Sequence, residues 1–264
     1  MEREFKNLIE LQKYFSNEDA CWDYLESLRW NGETACPHCG SVKYYKFKNS
    51  RTYKCKDCKK KFNAKTGSIF ENTKIPLSKW FVSIYLATSH KKGISSLQLS
   101  KDIGVTQKTA WFILHRIREM LKSKAPYMLN STVEIDETYV GGKERNKHIS
   151  IRKRHTGYVN KTMVFAILER KGNVWTTMVK GVSGKELKPI IRERVDTSTK
   201  IITDGFGAYA GLEKDYSHEI VNHETNEYVR GDIHTNTIEG FFSQLKRGIY
   251  GIYHSVSPKH LHRY

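Results

Sequence analysis

Four of the five cysteines fall in two pairs, Cys36 with Cys39 and Cys55 with Cys58. Their C-x2-C-x15-C-x2-C spacing constrains the fold more than any other feature of the chain. Each C-x-x-C makes a tight knuckle that turns two thiolates towards one ion, and four thiolates complete a closed tetrahedral zinc site. The intervening "KYYKFK" and "RTYKC" alternate like hairpin strands, so the spacing predicts a zinc ribbon. No coordination position is left open, and the zinc is expected to be structural. His38 sits between the ligands without being one. The fifth cysteine, Cys21, has no partner cysteine nearby and reads as core. Disulfides are the poorer reading of the pairs, because the start "MEREFKNLIELQ" lacks the apolar core of a signal peptide. No apolar run approaches the roughly 18 residues of a membrane span, and a cytoplasmic location is the resulting expectation.

The surroundings of the cysteines are basic. Lys and Arg number 45 against 28 Asp and Glu, a formal charge of +17 that implies a polyanionic partner, nucleic acid before acidic lipid. Residues 41–65 carry ten Lys or Arg and one acid; residues 143–161 carry seven and one. Such runs are usually solvated faces, but beside recognisable motifs they point to phosphate contact.

The chain divides into four expected segments: an N-terminal helical segment at 1–33, a zinc ribbon at 34–72, a helical region at 73–128 and a larger α/β region at 129–264. Within the first, residues 5–30 read as helix, with Asn17 a candidate N-cap and Cys21, Trp22, Leu25 and Leu28 on one face. Within the third, which Pro126 closes, "ISSLQLSKDIGVTQKTAWFILHRIREMLK" has the form helix, glycine turn, capped helix. Leu97, Leu99 and Ile103 are the apolar positions of its first helix, and Gly104 allows the turn. Thr106 caps the second helix, whose Ala110, Ile113, Leu114, Ile117 and Leu121 follow the 3.6 period. This predicts a helix-turn-helix with Gln107, Lys108 and Thr109 facing the DNA major groove and Arg116 as a further contact.

In the last segment, "VEIDETYVGG" alternates Val133 and Ile135 with Glu134 and Asp136, the pattern of a half-buried strand. An acid facing solvent on an edge strand is the plain reading; a metal ligand is the sharper one. Two further strand-like stretches and a helix, "KELKPIIRERV", follow. Next comes a short strand, Ile201-Ile202, that ends at Asp204 before Gly205 and Gly207. A carboxylate at such a strand end is where α/β folds place active-site groups, although a plain turn would also suit it. Last, "HTNTIEGFFSQLKRG" reads as a helix with Asn236, Glu239, Ser243 and Lys246 on one face. That order matches a ribonuclease-H-like core with a mixed sheet, in which Asp136, Asp204 and Glu239 converge on two Mg²⁺ or Mn²⁺ ions. Glu134 and Glu137 are assigned to solvent or to a supporting role, and His234 to a structural one.

At these residues the sequence resembles the bacterial DDE transposases of the insertion-sequence fifteen-ninety-five family, the ISXO-two-like group. The stretches that carry the resemblance are "CPHCG", "KTGSIFENTKIPLSKW", "KGISSLQLSKDIGVTQKTAW", "EIDETYVGGKE", "TDGFGAY", "VNHETNEYV" and "HTNTIEGFFSQLKRGIYGIYHSVSPKHLHRY". The resemblance implies transposition: metal-dependent cleavage at the element ends, then attack of the freed 3′-hydroxyl on target DNA. It makes Asp136 and Asp204 the first two acids of the triad. Glu239 is the preferred third, with Asn236 the runner-up because that position varies within the family. Lys246 is expected at the DNA backbone, with Arg247 beside it. The resemblance further implies a homo-oligomer on paired double-stranded DNA ends in a bacterial, nucleoid-associated setting. It also leads one to expect more helix beyond the "HRY" stretch. The competing readings are a catalytically inactive zinc and helix-turn-helix DNA-binding protein, and a nuclease of the same core without strand transfer.

Overall fold

The computed structural model describes residues 4–48, 50–122, 128–142, 146–151 and 161–264. Two compact units divide the chain, Met1–Lys122 and Ser123–Tyr264. Pro126 and most of the basic run 143–161 lie outside the described residues.

The first unit begins with α1 (Leu8–Tyr14) and α2 (Glu18–Trp30). These are two helices where the periodicity over 5–30 predicts one. The break is explained by two asparagines: Asn7 accepts the Glu10 N–H and Asn17 accepts the Ala20 N–H, so each starts its own helix. Cys21 and Leu25 are buried as expected, but Leu28 is 50 % exposed and lies off the stripe that packs inward. Strands β1 (Tyr44–Lys46), β2 (Tyr53–Cys55) and β3 (Lys61–Phe62) form a small antiparallel sheet in that order. Helices α3 (Leu77–Ser89), α4 (Ser96–Ile103) and α5 (Gln107–Leu121) complete the unit.

One apolar core unites Leu11, Phe15, Cys21 and Leu25 with Leu77, Trp80, Leu99 and Ile113. The expected first and third segments are therefore one helical body, and the three-stranded sheet is inserted between α2 and α3. The sheet keeps a separate small core of Tyr53, Phe62, Cys36 and Cys55, with Trp30 against it. Arg51 ties the insert to α2 by donating to Asp19 and Asp23, with Glu26 3.6 Å away.

The second unit is built on a five-stranded mixed sheet. Its strands are β4 (Val133–Val140), β5 (Thr162–Glu169), β6 (Val174–Val179), β7 (Lys200–Asp204) and β8 (Ser217–Val221). They are ordered β6-β5-β4-β7-β8: the first three pair antiparallel, and β4, β7 and β8 run parallel. Helix α6 (Gly184–Arg194) crosses from β6 to β7, and Leu187 and Ile191 bury against Val133, Ile135, Phe165, Ile167 and Ile201 on one face. A short hairpin of β9 (Val229–Arg230) and β10 (Ile233–His234) leads to α7 (Asn236–Gly248). Ile238 and Phe242 of α7 pack on Ala166 and Leu168. A last short helix, α8 (Pro258–Leu261), ends the chain. The edge-strand reading of "VEIDETYV" is thus corrected, because β4 is the central strand with partners on both sides. Among the described residues, no helix is long and apolar enough to cross a membrane.

Candidate functional site

The four cysteines converge. Cys36 Sγ lies 3.7 Å from Cys58 Sγ and Cys39 Sγ 3.6 Å from Cys55 Sγ, and all four sulfurs fall within 4.8 Å of one another. Four sulfurs at tetrahedral corners around a zinc ion stand about 3.8 Å apart, so the donor set fits a structural Zn²⁺. Burial works against ionisation of Cys55, but the backbone N–H groups of Cys58 and Asp57, with the neighbouring thiols, hold it down to about 6. Cys39 goes the other way: the Ser41 N–H lowers it, but hydrogen bonds with the other three cysteines and burial push it up to about 12, so the thiols share one charge and a metal would be needed to ionise them all. His38 is not in the cluster. The ribbon surface alternates lysines with rings: Lys56 Nζ lies 4.6 Å from the Tyr45 ring centre and Lys61 Nζ 5.5 Å from that of Phe47.

Helices α4 and α5 meet at a glycine turn. Gly104 takes φ +61, a left-handed conformation that releases α4, and Thr106 Oγ1 accepts the Thr109 N–H to start α5. Leu99, Ile103, Ala110, Ile113, Leu114 and Ile117 are buried, as their spacing predicts. Leu97 and Leu121 are 58 % and 57 % exposed, off the stripe and at the helix end respectively. In the first turn of α5, Lys108 is exposed, Gln107 Nε2 donates to Ser96 Oγ at 2.8 Å, and Thr109 Oγ1 is bonded to Thr106 Oγ1. Arg116, expected at the DNA, makes bonds within the first unit that its place in the sequence does not announce. Its Nη1 donates to the backbone carbonyls of Ile69 and Glu71 at 2.6 and 2.8 Å, and its guanidinium covers the Phe112 ring. It pins a loop inside the first unit.

In the second unit, parallel pairing sets Ile135 of β4 beside Thr203 of β7. One step further along both strands stand Asp136 and Asp204, neighbours on the sheet face that α7 covers. Glu239 lies in the first turn of α7, where its Oε1 accepts from Thr235 Oγ1 at 3.0 Å and sits 4.0 Å from His223 Nε2. Asn236 opens the same helix and is exposed. Lys246 and Arg247 lie in its last turn, Lys246 half-buried and Arg247 exposed.

Burial raises the Asp136 carboxyl, and the charges of Glu137, Asp204 and Glu239 add to it; together they outweigh the Glu137 N–H that it accepts and bring it to about 7. The trio is not drawn as tight as the thiols. Among the described residues, only the cysteines form a group of three or more ligating side chains within 4.8 Å. A half-buried carboxylate raised by burial and by the acids beside it suits a divalent cation, whose charge would relieve that repulsion.

Of the two settings expected for Glu134 and Glu137, solvent or a supporting role, neither acid takes the first. Glu134 is fully buried. Its Oε1 accepts from Arg170 Nε at 2.7 Å and Thr237 Oγ1 at 2.8 Å, and its Oε2 accepts the Ile238 N–H at 2.9 Å. His234 belongs to this cluster, with Nδ1 3.0 Å from Arg170 Nη2. Glu137 accepts from the buried Tyr209 hydroxyl at 2.6 Å; burial raises its carboxyl despite that bond. Sequence reasoning passed over Arg170, Tyr209, Thr237 and His223. Tyr209, His223 and Thr237 each lay inside a quoted stretch, "TDGFGAY", "VNHETNEYV" and "HTNTIEGFFSQLKRG", without being singled out there; Arg170 lay in none.

Residues 128–264 match the ISXO2-like transposase domain, and residues 16–61 match the transposase zinc-ribbon domain. A protein described as "Uncharacterized protein in transposable element ISH50", from Halobacterium salinarum, is 33% identical over 250 residues, 89% of this chain and 84% of that protein. Its source is archaeal, so the likeness extends beyond bacteria. An "Uncharacterized transposase-like protein" from Haemophilus influenzae is 35% identical over 78 residues, 29% of this chain and 63% of that protein. The crystal structure of a pre-cleavage Mos1 transpososome aligns at 12% identity over 63% of this chain and 70% of that one, with a TM-score of 0.22, too low to bear on the fold. Transposase-domain and zinc-ribbon matches together span most of the sequence, and on them the chain belongs to the ISXO2-like transposases.

Proposed function

We propose that this transposase cleaves DNA at the ends of its own element and joins the freed 3′-hydroxyl to a target, using Asp136, Asp204 and Glu239. The observation that carries the reading is the registered pair Asp136 and Asp204 under the first turn of α7. The charge of Glu239 reaches Asp136, which favours it over Asn236 as the third acid. Two divalent ions held there, Mg²⁺ or Mn²⁺, would supply activation of the attacking oxygen and stabilisation of the leaving one. The ionised carboxylates would hold those ions and fix the line of attack. Lys246 and Arg247, in the last turn of α7, would contact the DNA backbone.

The strand order, with three antiparallel strands followed by two parallel ones and a late acid-bearing helix, supports a ribonuclease-H-like core. The paired helices α4 and α5 support a helix-turn-helix that offers Lys108 and its neighbours Gln107 and Thr109 to the major groove. The ribbon's lysine-rich surface supports a second DNA contact. Action on two paired ends would call for a homo-oligomer, and work on DNA agrees with a cytoplasmic, nucleoid-associated location.

Cleavage of DNA bearing the element's ends, in Mg²⁺ or Mn²⁺, tests the reading in wild type and Asp136→Ala. Metal-dependent nicking at the ends that vanishes in the variant is expected. Tight, specific binding with no cleavage by either protein would overturn it in favour of a DNA-binding protein without catalysis. Cleavage without joining to target would leave a nuclease.

A further inference from the structure

Glu134 is the only charged side chain among the fully buried residues described. Removing a carboxylate from water is costly unless it is paired and hydrogen-bonded, so its partners show what the burial achieves. Three donors occupy it: Arg170 Nε, Thr237 Oγ1 and the Ile238 N–H. Two of the three belong to the first turn of α7. That helix has no side-chain cap of its own, because Thr235 at the N-cap turns its hydroxyl to Glu239. The backbone donor that an N-cap residue would ordinarily satisfy is satisfied instead from the middle of the sheet. A carboxylate at this end also meets the positive pole of the helix.

The strand that supplies this cap is the one that carries Asp136, two residues further on and on the same face. The residue that receives it, Ile238, directly precedes Glu239. Arg170 extends the tether: its Nη1 donates to the Asp232 carbonyl at 2.6 Å and its Nη2 to the His234 carbonyl at 2.9 Å, which holds the β9–β10 hairpin that leads into α7. Packing of Ile238 and Phe242 on Ala166 and Leu168 would hold the helix to the sheet but would let it slide. Directional bonds at one end fix both its depth and its rotation.

We propose that Glu134 and Arg170 are positioning residues, a cap supplied from the central strand that sets Glu239 at its working distance from Asp136 and Asp204. The inference rests on the acid site argued above. It assigns a role in the reaction to residues that touch neither the reacting DNA nor the metals.

The test compares the full chain with Glu134→Gln/Arg170→Gln, which removes both charges while leaving an acceptor, and with Thr237→Val, which removes one bond and leaves the ion pair. Each is assayed for thermal stability, DNA affinity and the Mn²⁺ concentration that gives half-maximal single-turnover cleavage. Loss of a positioning contact should raise that concentration roughly tenfold or more in the double variant and several-fold in Thr237→Val, with DNA affinity nearly unchanged. A merely structural role would lower stability and leave the Mn²⁺ requirement of the folded protein as it was. An unchanged Mn²⁺ requirement in folded Thr237→Val overturns the proposal even if the double variant does not fold. Asp136→Ala serves as the control: if it still cleaves, the acid site itself is misplaced, whereas if it is dead and Thr237→Val responds to Mn²⁺ like wild type, only the positioning role fails.

Discussion

The two places in this chain that suit metal ions are built on opposite principles. In the ribbon, all four donors come from within 23 residues of sequence, at two tight knuckles, and their sulfurs already stand at the spacing a tetrahedral ion requires. In the second unit, the acids come from two neighbouring strands and a helix, are looser as a trio, and raise the hold of Asp136 on its proton. The first arrangement is closed and gains stability from its ion. The second keeps like charges near one another at an expense in stability, which agrees with the acid site proposed above.

The sharpest way to test that contrast is to damage each site once. Asp204→Ala should reduce end cleavage by ~10³-fold or more while DNA affinity stays within a few-fold, as the proposed role of this acid in the reaction and not in docking requires. Retained cleavage, read on end-labelled DNA, would remove Asp204 from the site. Cys36→Ser should do the reverse, releasing zinc and lowering affinity for the ends by about 10- to 100-fold as the ribbon loosens, with the acids undisturbed. Metal analysis and a binding titration decide it: full zinc content and wild-type affinity would break the assignment of the knuckles.

A subtler test uses protons. The folded Asp136 carboxyl is raised above its usual value of 3.8 to about 7, so folding favours its protonated form. Its contribution is fully present below about 4 and is lost as pH rises to about 7. Without added divalent metal, the second unit should therefore weaken across that window, and Asp136→Asn should flatten the slope. Urea unfolding at several pH values would show it, and an equal slope in both proteins would sink the explanation. The smallest effect belongs to the surface: Lys108→Ala should weaken end binding a few-fold and reduce the salt dependence by about one counterion. Titrations at two salt concentrations suffice, and no change in slope would take Lys108 off the DNA.

How much of this was legible in the sequence follows the same division. The cysteine knuckles could be read because ligand and turn are neighbours in the chain. The α4 turn was equally local, and Gly104, Thr106 and the buried stripe of α5 fall where their residue types demand. The break between α1 and α2 was half visible: Asn17 was marked as a cap, but a cap inside a single predicted helix ought to have ended that helix first. Alternation in "VEIDETYV" gave the strand and its two faces. It could not give the strand's place at the sheet centre, because that depends on β5 and β7, which pair with it from far along the chain. Alternation left Glu134 between solvent and a supporting role for the same reason, since the side chains that bond it lie 36 and 103 residues away. The bonds of Arg116 to the Ile69 and Glu71 carbonyls were illegible too, because those partners lie 47 and 45 residues away.

The shared register of β4 and β7 carries a consequence for how such a chain can change over generations. Side chains alternate between faces with a period of two, so losing or gaining one residue within either strand would turn its aspartate towards α6 and away from α7. Substitution can explore these strands one side chain at a time; insertion and deletion cannot. Variation in length is thereby confined to the connections between strands, and lineages of this transposase should differ in loop length long before they differ in the count of residues from Val133 to Asp136 or from Ile201 to Asp204.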